Sequence, residues 1–340
     1  LTSTTLSRVA GALCAAGLLA AALPAAAVVA NPVQPFSSLF VFGDSLSDAA
    51  GGNNLMPMPP NEGGLATPSP YDNGRVSNGP VAAEYLGGLL GLSQAQQFQY
   101  AVAGARSGAT GRIPGVGTVN TGLQTQVGVF AQGGANAAYA GGLFMVWAGA
   151  NDLRDYLETA TLNDDPSATF ASILGNLGQA VTTLYGLGAR NFLLPNIPNL
   201  GLTPASQALG LQAMGGASYV TGLFNDAYGA AVDSWHSQLA GAHLYTFDAF
   251  SAHNQLFGVS IQQGWNTSNG CLVPVDGATQ PQSACSVSFY VDDIHPTTAV
   301  HQVLAQSMAA AVPEPESMLL MASGLVALLG LARRRQRAGV

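Results

Sequence analysis

The sequence predicts an α/β protein with a mostly parallel sheet covered by helices on both faces. Three observations carry that expectation. Hydrophobic residues make up 48% of the 340-residue chain and charged residues only 8%, so a large core must form. Short apolar segments of strand length alternate with longer helical stretches, the order that builds parallel sheets. Glycine and polar residues cluster where the apolar segments stop, and ligands of such sheets sit beyond the carboxyl ends of the strands.

Strands are expected at Leu39–Phe42, Phe98–Val102, Leu143–Ala148, Asn191–Leu194 and His243–Phe247. Helices are expected over Pro80–Leu90, Thr121–Ala131, Ser167–Leu187, Ala217–Leu239 and Pro296–Ala311. Asp165-Pro166-Ser167 is a natural helix start, with Asp165 or Ser167 able to cap, and Gly186 and Gly188 stop that helix before the fourth strand. The punctuation falls at Gly43-Asp44-Ser45 after the first strand, Gly104 after the second, Gly149-Ala150-Asn151-Asp152 after the third and Pro195-Asn196 after the fourth. Two stretches read as irregular. Gly51–Asn78, rich in Pro, Gly and Asn, is too long for a plain connector and is expected either to fold over the rim of a site or to be mobile. Gln255–Phe289 holds a cysteine pair and delivers the segment "VDDIHPT".

The ends read differently from the middle. Arg8, an apolar run from Val9 to Leu23 and the small residues "PAAAVVAN" have the order of a secretory signal over residues 1–30, cleaved after Ala27 or Ala30, with an uncleaved anchor as the alternative. Cys14 lies within it, behind a Leu13 too bulky for a lipoprotein acceptor. One domain spans 31–312. Residues 313–340 combine a Pro-Glu-Pro break, an apolar run from Met318 to Ala332 and an Arg-rich tail. A helix over that run would rise about 22 Å, short for a bilayer core of about 30 Å, so the expectation is transient membrane association. The arginines would hold that end on the cytoplasmic side. The order resembles the PEP-CTERM sorting signal of Gram-negative bacteria, with Val312-Pro313-Glu314-Pro315 intact. That resemblance implies export, tail removal by an exosortase-type enzyme, and a place at the cell surface, in the exopolysaccharide or outside; a simple C-terminal anchor is the alternative.

Five of the ten Arg and sixteen of the eighteen acidic residues lie in 31–312, a net charge of about −11, and the chain has no Lys. Such a surface repels nucleic acid, which excludes polynucleotide partners. Cys271 and Cys285 are the remaining cysteine pair. In an oxidising compartment they are expected to form a disulfide, and a loop of about 15 residues closed that way gains roughly 3 kcal/mol. Without a flanking His cluster they make a poor zinc site.

A serine hydroxyl becomes a nucleophile only beside a base that a third group orients. The chain has five His: His236, His243, His253, His295 and His301. His295 stands out because Asp292, three residues earlier, can reach its Nδ1–H and leave Nε2 facing outward. Asp293 is the competing carboxylate. Ser45 is the candidate nucleophile, and its N–H, expected at the start of a first helix, is a natural oxyanion donor. The Gly104 N–H and the Asn151 side-chain amide could add two more. Asp44, Asp48 and Asp152 read as bracing groups, Arg106 and Arg154 as salt-bridge partners, and the other four histidines as surface or packing residues.

"FVFGDSLSD", "YAVAGARSG", "VWAGANDL" and "DDIHPT" together resemble the four ordered blocks of the SGNH or GDSL hydrolases. "GRVSNGPVAAEYLG" and "GARNFLLPNIPNLGLTP" resemble further segments of the plant-lipase-like and fatty-acyltransferase-like branch. The resemblance runs from Phe36 to Met308. It implies a flavodoxin-like three-layer α/β/α sandwich with a five-stranded sheet. It also implies Ser45 as nucleophile, His295 as base and then acid, Asp292 as its orienter, and an oxyanion hole of Ser45, Gly104 and Asn151. No metal or organic cofactor is implied. Gln99 departs from the Asn often found before the aromatic residue of the second block. The expected substrate is a carboxylic ester, either a lipid or an acylated glycan such as O-acetylated exopolysaccharide, with phospholipase or acyltransferase action as an alternative. Two rivals remain: a metal phosphoesterase using Asp44, Asp48, Asp292 and His295, and a surface protein without activity.

Overall fold

The computed structural model describes residues 36–49, 71–113, 117–161, 164–272 and 282–312. The segments expected to be a leader (1–30) and a tail (313–340), and most of the Gly51–Asn78 loop, lie outside these residues. The sheet is formed by β1 (Ser38–Gly43), β2 (Gln97–Gln99), β5 (Gly142–Trp147), β6 (Asn191–Pro195) and β7 (His243–Phe247). A small antiparallel pair, β3 (Gly111–Ile113) and β4 (Gly117–Val119), stands apart from it. The order is β2-β1-β5-β6-β7 with every pair parallel, the doubly wound arrangement of the flavodoxin type. In this order the connections leave β1 toward one edge and then cross to β5 on its other side. That switch point opens a crevice at the carboxyl ends of β1 and β5.

Strand periodicity sorts the core into two layers. Leu39, Val41, Leu143, Met145 and Leu193 face a cluster built with α1 (Ala82–Leu89) and α8 (Thr298–Ala311). Phe40, Phe42, Phe144, Val146, Phe192 and Leu194 face the other way. They pack against α2 (Leu123–Ala131), α4 (Ser167–Gly186) and α6 (Leu211–Gln238). Stacked and edge-to-face rings of Phe40, Phe42, Tyr100, Phe130 and Phe144 fill this second layer at centroid distances of 4.5–6.4 Å.

Several elements differ from expectation. The second strand is shorter than Phe98–Val102, yet Tyr100 and Val102 still donate to the Val41 and Gly43 carbonyls at 2.8 and 3.1 Å. No helix follows β1 directly; Asp44–Ser47 form one turn, closed by the Ser47 and Asp48 N–H groups on the Asp44 carbonyl. Three further helices occur: α3 (Ala150–Thr159), α5 (Pro204–Ala208) and α7 (Ala249–Gln262). The start of the expected irregular region is therefore helical, with Asp248 capping α7 by accepting the Ser251 N–H. α6 starts at Leu211, six residues before the expected Ala217, because its glycine pair Gly215-Gly216 is tolerated inside it.

His301 on α8 is fully buried where that helix packs on α1, and its Nδ1 accepts the Ala82 N–H at 3.3 Å. Burial holds its pKa down at about 3. Between the unfolded value near 6.5 and the folded one, the unfolded chain binds the extra proton, so this group costs stability as pH falls through that window. Chemical denaturation of the parent and His301→Gln across pH 7 to 4 should show the variant gaining on the parent by roughly 1.4 kcal/mol per pH unit below about pH 6.5.

Candidate active site

β1 ends at Gly43, whose φ of +155° is rarely adopted by other residues and where a Cβ would overlap the Trp147 carbonyl oxygen. The buried Gln126 side chain of α2 grips this residue from both sides, accepting its N–H at 2.9 Å and donating to its carbonyl at 2.8 Å. The chain then turns sharply, and Asp44 Oδ1 accepts the Leu46 N–H at 3.1 Å. Ser45 is left at the switch-point crevice, 6% exposed.

The histidine arrives from the far end of the chain. Tyr290 bridges to Pro296, the Val291 N–H donates to the His295 carbonyl at 2.8 Å, and the Thr297 N–H donates to the Phe289 carbonyl at 2.8 Å. Asp292 and His295 therefore sit in a tight turn fixed directly before α8. His295 Nδ1 is 2.7 Å from Asp292 Oδ2, and His295 Nε2 is 2.8 Å from Ser45 Oγ. With Nδ1 facing the carboxylate it carries the proton, and Nε2 is free to accept from the hydroxyl. Asp292 Oδ1 accepts the Ile294 and His295 N–H groups at 2.9 and 2.7 Å. Asp293 is exposed and contributes only its carbonyl, which accepts the Ala205 N–H.

Asn151, one residue into α3, donates through Nδ2 to the Ala105 carbonyl at 2.9 Å, which leaves its second amide hydrogen for a ligand. Gly104, at φ +76°, has its carbonyl bonded by the Arg112 N–H. Among the described residues neither the Ser45 nor the Gly104 N–H donates to a protein acceptor. Two carboxylates tie these loops together. Asp48 accepts the Ala103 N–H at 2.8 Å, and Asp152 accepts both the N–H and the hydroxyl of Ser107 at 2.8 Å. Arg106 pairs with Asp155, and Arg154 and Arg112 both approach Glu158. Gln99 is buried with its Oε1 unpartnered.

Two carboxyl groups next to the imidazole titrate in opposite directions. Burial opposes the Asp292 charge, but His295 and the hydrogen bonds to its oxygens outweigh it and hold the group at about 2. Burial pushes Asp44 up to about 6 against the Leu46 N–H and the His295 charge. For His295 burial favours the neutral ring, yet the charge and hydrogen bond of Asp292, aided by Asp44, raise its pKa.

A cleft partly open to solvent is bordered by Ser45, Asn151 and His295. Leu200, Ala249, Phe289, Val300 and Leu304 make most of the remaining wall apolar. His253 of α7 also lines it, its Nε2 2.8 Å from the Tyr290 hydroxyl, with burial holding its pKa down at about 4. Sequence reasoning missed this lining role, the Gln126 clamp and one further contact: the Tyr71 hydroxyl donates to Asp292 Oδ2 at 2.7 Å. Gln126 and Tyr71 carry no motif that could have marked them. Cys271 and Cys285 are joined in a disulfide. No group of three or more His, Cys, Asp or Glu among the described residues could hold a metal ion.

Known proteins match this chain at two levels. In sequence it is 26% identical over 266 residues to a GDSL esterase/lipase of Arabidopsis thaliana, covering 67% of this chain and 70% of that one. It is 25% identical over 338 residues to the phosphatidylcholine-sterol acyltransferase of Aeromonas hydrophila, covering 87% and 95%. Among solved structures, an acetylxylan esterase of Geobacillus stearothermophilus aligns at TM-score 0.40 and 12% identity over 82% of this chain and 95% of the other. An extracellular lipase of Streptomyces rimosus aligns at TM-score 0.37 and 16% identity over 80% and 99%. Residues 311–336 match the PEP-CTERM protein-sorting motif, which marks the chain for export and surface or extracellular location in a Gram-negative bacterium and implies an exosortase-type processing partner. Residues 39–308 match the family described as GDSL-like Lipase/Acylhydrolase, and the chain belongs to that family of ester hydrolases.

Proposed function

We propose that this exported enzyme cleaves carboxylic esters by nucleophilic catalysis at Ser45. The observation that carries the reading is the relay of two short contacts, Ser45 Oγ to His295 Nε2 at 2.8 Å and His295 Nδ1 to Asp292 at 2.7 Å. As the hydroxyl attacks the acyl carbonyl, its proton passes to His295 Nε2, and Asp292 stabilises the imidazolium without taking a proton itself. The carbonyl oxygen becomes an oxyanion, held by the Ser45 N–H, the Gly104 N–H and the free Asn151 amide hydrogen. Collapse expels the alcohol, which takes the proton from His295. Water, deprotonated by the same ring, then releases the acid.

Within the ester class, a lipid-type aliphatic acyl group is the better substrate. The wall around Ser45 is mainly apolar, which suits an aliphatic chain better than a sugar ring. The sorting motif supports a second reading, removal of O-acetyl groups from an exopolysaccharide. The Aeromonas relative supports a third outcome, in which an alcohol in place of water accepts the acyl group.

A fluorophosphonate probe should label the parent and fail to label Ser45→Ala, with labelling of His295→Ala strongly slowed; equal labelling of all three would remove the assignment. Activity that survives Ser45→Ala and disappears with a chelator would point to a metal phosphoesterase instead. Asn151→Ala should lower kcat by about 10²–10³-fold with little change in KM, as expected for a lost oxyanion donor. On p-nitrophenyl esters of increasing acyl length, kcat/KM should climb about fourfold per methylene until the cavity is full. A profile that peaks at acetate, with faster release from acetylated glycans, would favour the second reading.

A further inference from the structure

We propose that Tyr71 is a positioning residue for the Asp292–His295 pair and sets how readily His295 gives up its proton. The inference rests on the reading of Ser45, His295 and Asp292 given above. Asp292 Oδ2 accepts two hydrogen bonds, from His295 Nδ1 and from the Tyr71 hydroxyl, each at 2.7 Å. Oδ1 accepts two more from the backbone. A carboxylate has about four acceptor positions, so all are filled and the phenol shares one oxygen with the imidazole.

The phenol reaches this point from a different part of the chain, 221 residues away in sequence. Its ring is half-buried and packs on the cluster of Cys271, Leu272, Cys285 and Val291. That cluster is tied to the Asp292 turn, because the Cys271 N–H donates to the Tyr290 carbonyl at 3.0 Å and the Leu272 N–H to the Val291 carbonyl at 2.8 Å. Gly270 lies so close over the Asp292 backbone that a Cβ would collide with it. The disulfide-bonded segment thus holds both the donor and the acceptor of the Tyr71–Asp292 contact.

Toward Asp292 the Tyr71 hydroxyl is a donor. Burial, and then the Asp292 charge, push its pKa far above that of an ordinary phenol, so it stays protonated wherever the enzyme works. By donating to Oδ2 it takes up part of the charge that would otherwise hold a proton on His295. The other groups facing this ring are Asp44 and Arg154, with His301 close enough to sense its charge. The Asp293 charge also reaches Tyr71. Tyr71→Phe changes none of these and keeps the ring that packs on the disulfide cluster.

The test is the pH dependence of kcat/KM for the full chain on a soluble p-nitrophenyl ester. Hydrolysis requires neutral His295, so rate falls as pH drops through its pKa. In Tyr71→Phe the unshared carboxylate binds the imidazolium more strongly, and the acidic limb should move up by roughly half a pH unit or more. At a pH on that limb the variant then loses about threefold more activity than it loses on the plateau. Tyr71→Leu should show the same displacement together with a lower melting temperature. An acidic limb that stays in place in Tyr71→Phe, or moves down, overturns the inference, whatever the plateau rate does. Fluorophosphonate labelling separates this failure from that of the parent reading. Labelling that depends on Ser45 and His295 alongside an unmoved limb removes only the role of Tyr71, whereas labelling independent of Ser45 removes both.

Discussion

The site depends first on how β1 ends. Gly43 must come within contact of the Trp147 carbonyl while its own N–H and C=O are taken by Gln126, a geometry with no room for a side chain. An abrupt end lets the next two residues leave the sheet plane at the switch point. A strand that ran on for two more residues would carry Ser45 into the ladder and give its N–H to β5 or β2. The turn that replaces it keeps that N–H without a protein partner among the described residues, which is what an oxyanion donor requires.

Once the hydroxyl is placed, electrostatics decides what it can do. His295 senses the charge of two carboxyl groups with different surroundings. Asp292 receives four hydrogen bonds and keeps its charge, whereas Asp44 receives one from Leu46 and is 2% exposed. In the proposed reaction the first is a fixed counter-charge for an imidazolium. The second gains a proton in mildly acidic solution, which withdraws a negative charge from the neighbourhood of the ring. Two acidic residues near one base thus contribute unequally: the His295 charge and hydrogen bonds outweigh burial at Asp292, whereas burial prevails at Asp44.

Much of this was legible in the chain. The apolar runs at Leu39–Phe42 and Leu143–Ala148 located the central strands, and the polar residues following them located the crevice, because parallel strands concentrate their loops at one edge. Asp292 and His295 were legible because three residues of separation in an irregular segment suffice for contact. The α7 helix was not, since Ser, Asn, Gln and Gly interrupt its apolar pattern and its stability comes from packing under the cavity. The single turn after β1 resembles a helix start in sequence because Asp and Ser cap both. Tyr71 and Gln126 were invisible for a more basic reason: each acts on a residue far away in sequence, and nothing local in the chain encodes such a partner.

That last point extends to the centre as a whole. Ser45 and His295 meet across 250 residues, Tyr71 and Asp292 across 221, and the Ala82–His301 contact that seats α8 on α1 across 219. Contacts of such span form late, after the nearer pairings have already restricted the chain. No contiguous fragment short of nearly the entire domain contains the pair, and a chain still emerging from its ribosome or threading through a translocation channel has none of it. On the proposed reading, competence arrives only once the turn before α8 has been made.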